Sequence, residues 1–198
     1  SGALVARLPV AEYAIGVAFD NDGSHAFVSS RDEESLSIVD IATYSVTGTL
    51  PLPVDGGNLA LEPVSGRLYL VDWYGPTLCE IADDASAVLR QTDLGDSLWQ
   101  VVAAPDGEHV YVTDRGTDEV LEVALDSFSV SRRFPVGDDP WGLDITGDGA
   151  TLVVTCEDSA EIMLIDRASG AITPIALEPD ADPRDVDSDD DGLNDREE

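Results

Sequence analysis

Apolar and polar residues along this chain alternate in short runs of about four to eight residues, the length of β-strands rather than helices. The pattern is clearest in Pro105–Leu125, PDGEHVYVTDRGTDEVLEVAL. The pair Asp106-Gly107 opens the unit. The run His109–Thr113 follows, then a polar loop, Asp114–Glu119, then a second run, Val120–Ala124. Asp-Gly favours the positive backbone angles of a two-residue hairpin, and runs rich in Val and Tyr read as strands. Gly23, Gly66, Gly107 and Gly149 mark the same turn at intervals of 43, 41 and 42 residues.

Each period holds four such runs. They are Ile15–Phe19, Ala26–Ser29, Leu36–Asp40 and Ser45–Leu52 in the first, and Leu59–Leu61, Leu68–Val71, Leu78–Ala82 and Ala87–Thr92 in the second. The third has Trp99–Ala103, His109–Thr113, Val120–Ala124 and Ser129–Val136, and the fourth Trp141–Thr146, Thr151–Thr155, Ile162–Asp166 and Ala171–Leu177. Four strands in about 42 residues, repeated, predict an all-β fold: a β-propeller of four-stranded antiparallel blades. The blades span about 11–52, 53–92, 93–136 and 137–177. One blade cannot bury both faces of its sheet, so neighbours must stabilise each other. Ala3–Val10 matches Ser45–Leu52 and Ser129–Val136 and is expected to form the last strand of a preceding blade. Four blades plus that strand exceed simple closure. The chain therefore reads as part of a propeller of seven or eight blades, with a closed four-blade ring or two paired half-rings as the alternative. Open blade faces and strand edges favour self-association.

Charge narrows the partners. Acids outnumber basic residues 41 to 10, for a net charge of −31, and every basic residue is Arg. Such a surface repels nucleic acid and anionic membranes and attracts cations, a basic protein or a cationic ligand. Solvation in a saline habitat accounts equally well for the charge of the body. No run approaches the ~20 apolar residues of a membrane span. Cys79 and Cys156 fall in non-neighbouring repeats and read as small buried hydrophobes rather than a disulfide.

The wording of the repeats, Ser35–Pro51 (SLSIVDIATYSVTGTLP) and Asp139–Gly149 (DPWGLDITGDG), resembles the YVTN-type repeats of bacterial and archaeal extracytoplasmic β-propellers. The naming tetrapeptide stands at Phe27–Ser30, Tyr69–Asp72, Tyr111–Asp114 and Val153–Cys156, without its final Asn. The resemblance covers about Ala3–Leu177. It implies a propeller outside the cytoplasm (secreted, periplasmic or on the cell surface) and carries over no active site.

A Pro- and Asp-rich linker, 178–186, leads to Asp187–Glu198, DSDDDGLNDREE. This tail resembles the calcium loops of EF-hands and thrombospondin type 3 repeats. Asp187, Asp189 and Asp191 would present carboxylates, Gly192 allows the reversal and Leu193 offers its carbonyl. Asp195 ligates directly or through water, and Glu198 closes the site. Oxygen-only ligands select calcium over zinc or copper. Asp20-Asn21-Asp22-Gly23 and Gly147-Asp148-Gly149 look similar but fall on the repeated turn, where Asp and Gly are expected anyway.

Other chemistry recurs by repeat register. His25 and His109 share one position, and Trp99 and Trp141 another, at the start of the first strand of their blades. Packing explains the Trp pair, with a ligand platform near the central channel as the alternative. The same face gathers Asp55, Asp96, Asp138 and Asp139 before the first strands. Between second and third strands it gathers Asp32, Glu33, Glu34, Asp72, Asp114, Asp118, Glu157 and Asp158. No Ser/His/Asp set and no phosphate-cradling loop accompanies them. The expectation is a non-enzymatic propeller, a binding or surface scaffold with a calcium-binding tail. The alternative is a propeller enzyme, of the lyase or lactonase type found on related propellers, with its active site incomplete in this chain.

Overall fold

The computed structural model describes residues 4–176; the linker 178–186 and the calcium-loop residues 187–198 lie outside them. Sixteen strands form four antiparallel sheets. Blade 1 is β1 (Ala14–Phe19), β2 (His25–Ser30), β3 (Ser35–Asp40) and β4 (Ser45–Pro51). Blade 2 is β5 (Gly56–Leu61), β6 (Leu68–Asp72), β7 (Thr77–Ile81) and β8 (Val88–Asp93). Blade 3 is β9 (Leu98–Ala103), β10 (His109–Asp114), β11 (Glu119–Ala124) and β12 (Ser129–Pro135). Blade 4 is β13 (Pro140–Ile145), β14 (Thr151–Cys156), β15 (Glu161–Asp166) and β16 (Ile172–Ala176). Among the described residues there is no helix.

Strand alternation decides which blade each side chain meets. Phe27, Tyr69 and Tyr111 occupy equivalent positions, and each packs toward the following blade. Their neighbours Leu68, Leu70, Val110, Val112, Leu152 and Val154 pack toward the preceding one. The core is thus three apolar layers between four blades. Cys79 lies in the first layer and Cys156 in the third, both as buried free thiols. The inner strands β1, β5, β9 and β13 pack in sequence, and no comparable packing joins β13 back to β1. The four blades form an open arc. At its leading end blade 1 carries Ser37 where blades 2 to 4 carry Cys79, Leu121 and Met163, and it exposes Val17 and Phe19.

Residues 4–10 are unpaired as a strand within these four blades, and the third strand of a preceding blade, to which an outermost strand would bond, is not among the described residues. One expectation is corrected: the Asp106-Gly107 turn is not a two-residue hairpin. Of the pair, only Gly107 has a positive φ, 74°. The Gly107 N–H donates to the Ala104 carbonyl at 3.2 Å, so Pro105 and Asp106 are the turn's centre and Gly107 takes the left-handed position after it. Asp106 Oδ1 accepts the Glu108 N–H at 2.9 Å, locking the turn.

A recurring polar clasp joins the middle blades. Glu80, 1% exposed, accepts from Arg67 Nη1 at 2.8 Å, Tyr69 OH at 2.9 Å and Arg90 Nε. Arg90 Nη2 reaches across to the Leu125 carbonyl of blade 3 at 2.6 Å. One blade on, Glu122 accepts from Tyr111 OH at 2.9 Å, and Arg132 reaches the Arg167 carbonyl of blade 4 at 2.7 Å.

Candidate functional site: the upper rim

The rim takes its shape from one irregularity repeated in every blade. The inner strand loses register with its neighbour near its start, between Ala14 and Val17, Gly56 and Leu59, Leu98 and Val101, and Pro140 and Leu143. A bulge frees an amide and re-aims side chains. Hydroxyls of the second strand take up that amide: Ser29 Oγ accepts from Gly16 at 2.9 Å, Thr113 Oγ1 from Gln100 at 3.0 Å and Thr155 Oγ1 from Gly142 at 3.0 Å. The bulges sit on the face carrying the loops between second and third strands, here called the upper face. Trp99 and Trp141 are bulge residues.

Blade 2 has Gly57 at the position of Trp99 and Trp141 and supplies its aromatics from the next loop, as Trp73 and Tyr74. Tyr74 adopts φ 59°, a left-handed conformation uncommon for a bulky residue. The rings form one cluster. Trp73 and Trp99 have centroids 4.4 Å apart, Tyr74 and Trp99 5.2 Å, and Trp99 and Trp141 4.3 Å. Trp99 is the hub, touching Trp73, Tyr74 and Trp141. All three Trp are half-buried, and Tyr74 is 53% exposed.

Two arginines lie over this cluster. The Arg115 guanidinium stands 4.1 Å from the Trp141 centroid, 5.1 Å from Trp99 and 5.5 Å from Tyr74. Arg31 stands 4.8 Å from Tyr13 and 5.7 Å from Trp73. Aromatic and cationic side chains alternate from blade 1 to blade 4. Cation–π attraction holds the guanidinium planes against the rings.

Carboxylates fix the cations. Asp139 takes a fork from Arg115, Nε at 2.5 Å and Nη2 at 2.8 Å, and accepts the Trp141 Nε1–H at 2.9 Å. The Arg115 fork and the Trp141 donor hold the Asp139 carboxyl below its ordinary range. Asp114 and Asp72 share one register position but not one environment. Asp114, fully buried, accepts backbone N–H groups from Asp96, Ser97 and Gly116 and the Thr117 hydroxyl. Asp72 is pushed above the usual carboxylate range, first by burial and then by the like charges of Asp55 and Asp93. A carboxyl raised in this way is a candidate proton acceptor.

A family model described as "Lactonase, 7-bladed beta-propeller" matches residues 83–183, just over half the chain. This chain belongs to the lactonase family of seven-bladed β-propellers. Solved structures agree on the fold. Hydrazine synthase of Kuenenia stuttgartiensis is 22% identical with a TM-score of 0.75, over 88% of this chain and 53% of that one. Dihydro-heme d1 dehydrogenase NirN is 18% identical with a TM-score of 0.73, over 88% and 39%. A candidate 6-phosphogluconolactonase of Bacteroides uniformis is 16% identical with a TM-score of 0.71, over 83% and 55%. A comparison with curated proteins found no match. The chain spans about half the length of these structures, and its described residues form four blades of the family's seven.

Membership in the lactonase family overturns the expectation of a non-enzymatic scaffold. Recurrence by register does not make the rim carboxylates one solvated population: Asp72, Asp114 and Asp139 differ in burial and partners. Of the other acids, Asp32 pairs with Arg31 at 2.6 Å, Glu33 accepts the Glu12 N–H at 3.2 Å and Asp118 accepts the Asp139 N–H at 2.9 Å. Arg31, Trp73 and Arg115 were missed, although each directly follows a second strand and register comparison would have aligned them.

The lower face of this lactonase-type propeller carries the turns. There Asp106, Glu108 and His109 bring ligand atoms within 4.8 Å of one another, beside a cavity of about 420 Å³ that Tyr111, Arg132 and Arg167 also line. Arg167 already donates to Asp106 Oδ2 at 2.8 Å, so a metal there would face a guanidinium. The Tyr–Glu–Arg set of that cavity repeats the Tyr69–Glu80–Arg90 clasp, which marks it as structural. His25 Nδ1–H donates to Asp20 Oδ2 at 3.0 Å, and despite burial, bonds from Ser24 and His25 draw the Asp20 carboxyl down to about 2.

Proposed function

We propose that this chain is part of a hydrolase that opens cyclic esters, and that the upper rim binds the ring. The observation that carries this reading is the combination on one rim of the Arg115–Asp139 fork, the aromatic cluster around it and the raised Asp72 carboxyl, in a lactonase-family chain. Lactone hydrolysis asks for little more. Water loses a proton to a general base as it adds to the ring carbonyl, and a cation or N–H donor stabilises the oxyanion. The ring C–O bond then breaks, and the departing oxygen takes up a proton to give a hydroxy acid. Asp72 suits the base. Arg115 commits two of its five donors to Asp139 and keeps others for an oxyanion. The rings offer flat apolar walls for the substrate.

The YVTN-like wording of the repeats supports placing this activity outside the cytoplasm, and the 187–198 pattern supports calcium binding by the tail. The exposed Val17 and Phe19 of blade 1 support contact with further blades or a second copy, and the acidic rim supports a basic partner. The test of the hydrolase reading is acid release from a panel of sugar and aliphatic lactones, followed with a pH indicator. Saturable turnover that falls at least tenfold in Arg115→Ala is expected; no turnover of any lactone refutes the reading.

A further inference from the structure

The upper rim is built from rings and paired charges, and this bears on which lactones it accepts. Among the described residues, the loops that join strands on that face carry two cations, Arg31 and Arg115. Each is already matched: Arg31 to Asp32 at 2.6 Å, and Arg115 to both oxygens of Asp139. Carboxylates outnumber them several-fold on the same loops, on a protein of net charge −31. A phosphate group needs unpaired donors, and a bidentate guanidinium fork is the geometry that holds it. Here the Nε/Nη2 fork of Arg115 is spent on a carboxylate, the donors left over serve the reacting oxyanion, and the field that a phosphate would meet is set by the surrounding carboxylates and is repulsive. What remains is suited to an uncharged ring. With guanidinium groups already over the indoles, the apolar contact left for the C–H face of a pyranose is the 53%-exposed Tyr74 and the outer edges of the cluster, and carboxylates of these loops accept its hydroxyls.

Resting on the lactonase reading, we infer that this rim selects uncharged, hydroxyl-rich lactones and rejects phosphorylated ones. The discrimination is electrostatic, so it carries a signature in salt. Repulsion between an anionic ligand and an acidic rim is screened as ionic strength rises. Affinity for a phosphorylated ring must therefore increase with salt, whereas a true phosphate site loses affinity. Affinity for the neutral ring stays level.

The experiment is a tryptophan-fluorescence titration with glucono-δ-lactone and with its 6-phosphorylated counterpart, in low and high salt. It reads binding at the three Trp without requiring turnover. The expected result is saturable quenching by the neutral ring and at least tenfold weaker binding of the phosphorylated ring at low salt. That gap should narrow at high salt. Trp99→Phe removes much of the signal change if the ring lies on the cluster. Asp139→Asn releases Arg115 and should improve binding of the phosphorylated ring several-fold. Equal or tighter binding of the phosphorylated ring, weakening with salt, overturns the inference, as does the absence of quenching by either ring. Quenching by the neutral ring without any acid release would instead defeat the hydrolase reading and leave the selectivity standing.

Discussion

Replacing Glu80 by Ala tests whether the polar clasp joins blades 2 and 3. Glu80 is 1% exposed and serves three donors at once: Arg67, Tyr69 and Arg90. Burial alone would raise its carboxyl. The bonds from Arg90, Arg67 and Tyr69 outweigh burial and hold it below the ordinary carboxylate range. Truncation leaves the buried Tyr69 hydroxyl without its acceptor, a loss of about 1–3 kcal/mol. The two arginines are 46% and 34% exposed and return largely to water, so their charge adds little. Arg90, however, loses the anchor that presents it to Leu125 and to the Phe128 ring, 4.2 Å away. We expect about 3 kcal/mol in total. For a domain of this size that is a drop in Tm of about 6–12 °C. Differential scanning calorimetry measures it. Glu80→Gln retains an acceptor for Tyr69 and should lose about half as much. The pH dependence follows from the lowered carboxyl: its stabilisation is present at neutral pH and disappears as pH falls through the folded value. Both variants should therefore melt closer to the wild type in acid than at pH 7. A Glu80→Ala Tm within about 2 °C of the wild type at pH 7 would refute the clasp.

Asp72 runs the opposite way: its carboxyl is raised, so ionisation at neutral pH costs stability, and Asp72→Asn should raise Tm while lowering lactone turnover and removing its acid-side pH dependence. Leu98, fully buried between blades 2 and 3, should cost about 2–5 kcal/mol when cut to Ala, read in a urea melt. Burial pushes the Cys79 thiol up to about 12, so it should resist thiol reagents until the blades unfold, checked by labelling across a denaturant series. Calorimetric titration with calcium should give heat at ~10⁻⁴–10⁻³ M affinity for the intact chain and none for an Asp187→Ala/Asp191→Ala double variant.

The fold was legible because its information is local and repeated. The glycines at 23, 66, 107 and 149 set the turn, and the Val-, Leu- and Tyr-rich runs after them set the strands. Blade order followed from the period alone. What the sequence hid is non-local or depends on pairing. Residues 4–10 read as a strand on composition but have no strand to pair with among the described residues. The bulges are register shifts between two strands, invisible in either strand alone, yet they place Trp99 and Trp141 on the rim. Trp141 and Trp99 were recognised as equivalent by position. The contact of Trp99 with Trp73 crosses from blade 3 to a loop of blade 2, and Arg115 joins Asp139 across 24 residues. The difference between Asp72 and Asp114 likewise lies in which amides and charges surround each, and not in the residue itself.

The central claim is that function resides on the upper rim and not on the lower face. The direct measurement is kcat/KM for an uncharged lactone in three proteins: the wild type, Arg115→Ala on the rim, and Glu108→Gln on the lower face beside His109. The account predicts a loss of tenfold or more in Arg115→Ala and a Glu108→Gln value within about twofold of the wild type, where tenfold corresponds to about 1.4 kcal/mol of transition-state stabilisation. An unchanged Arg115→Ala together with a Glu108→Gln that loses tenfold would place the chemistry on the opposite face and contradict it.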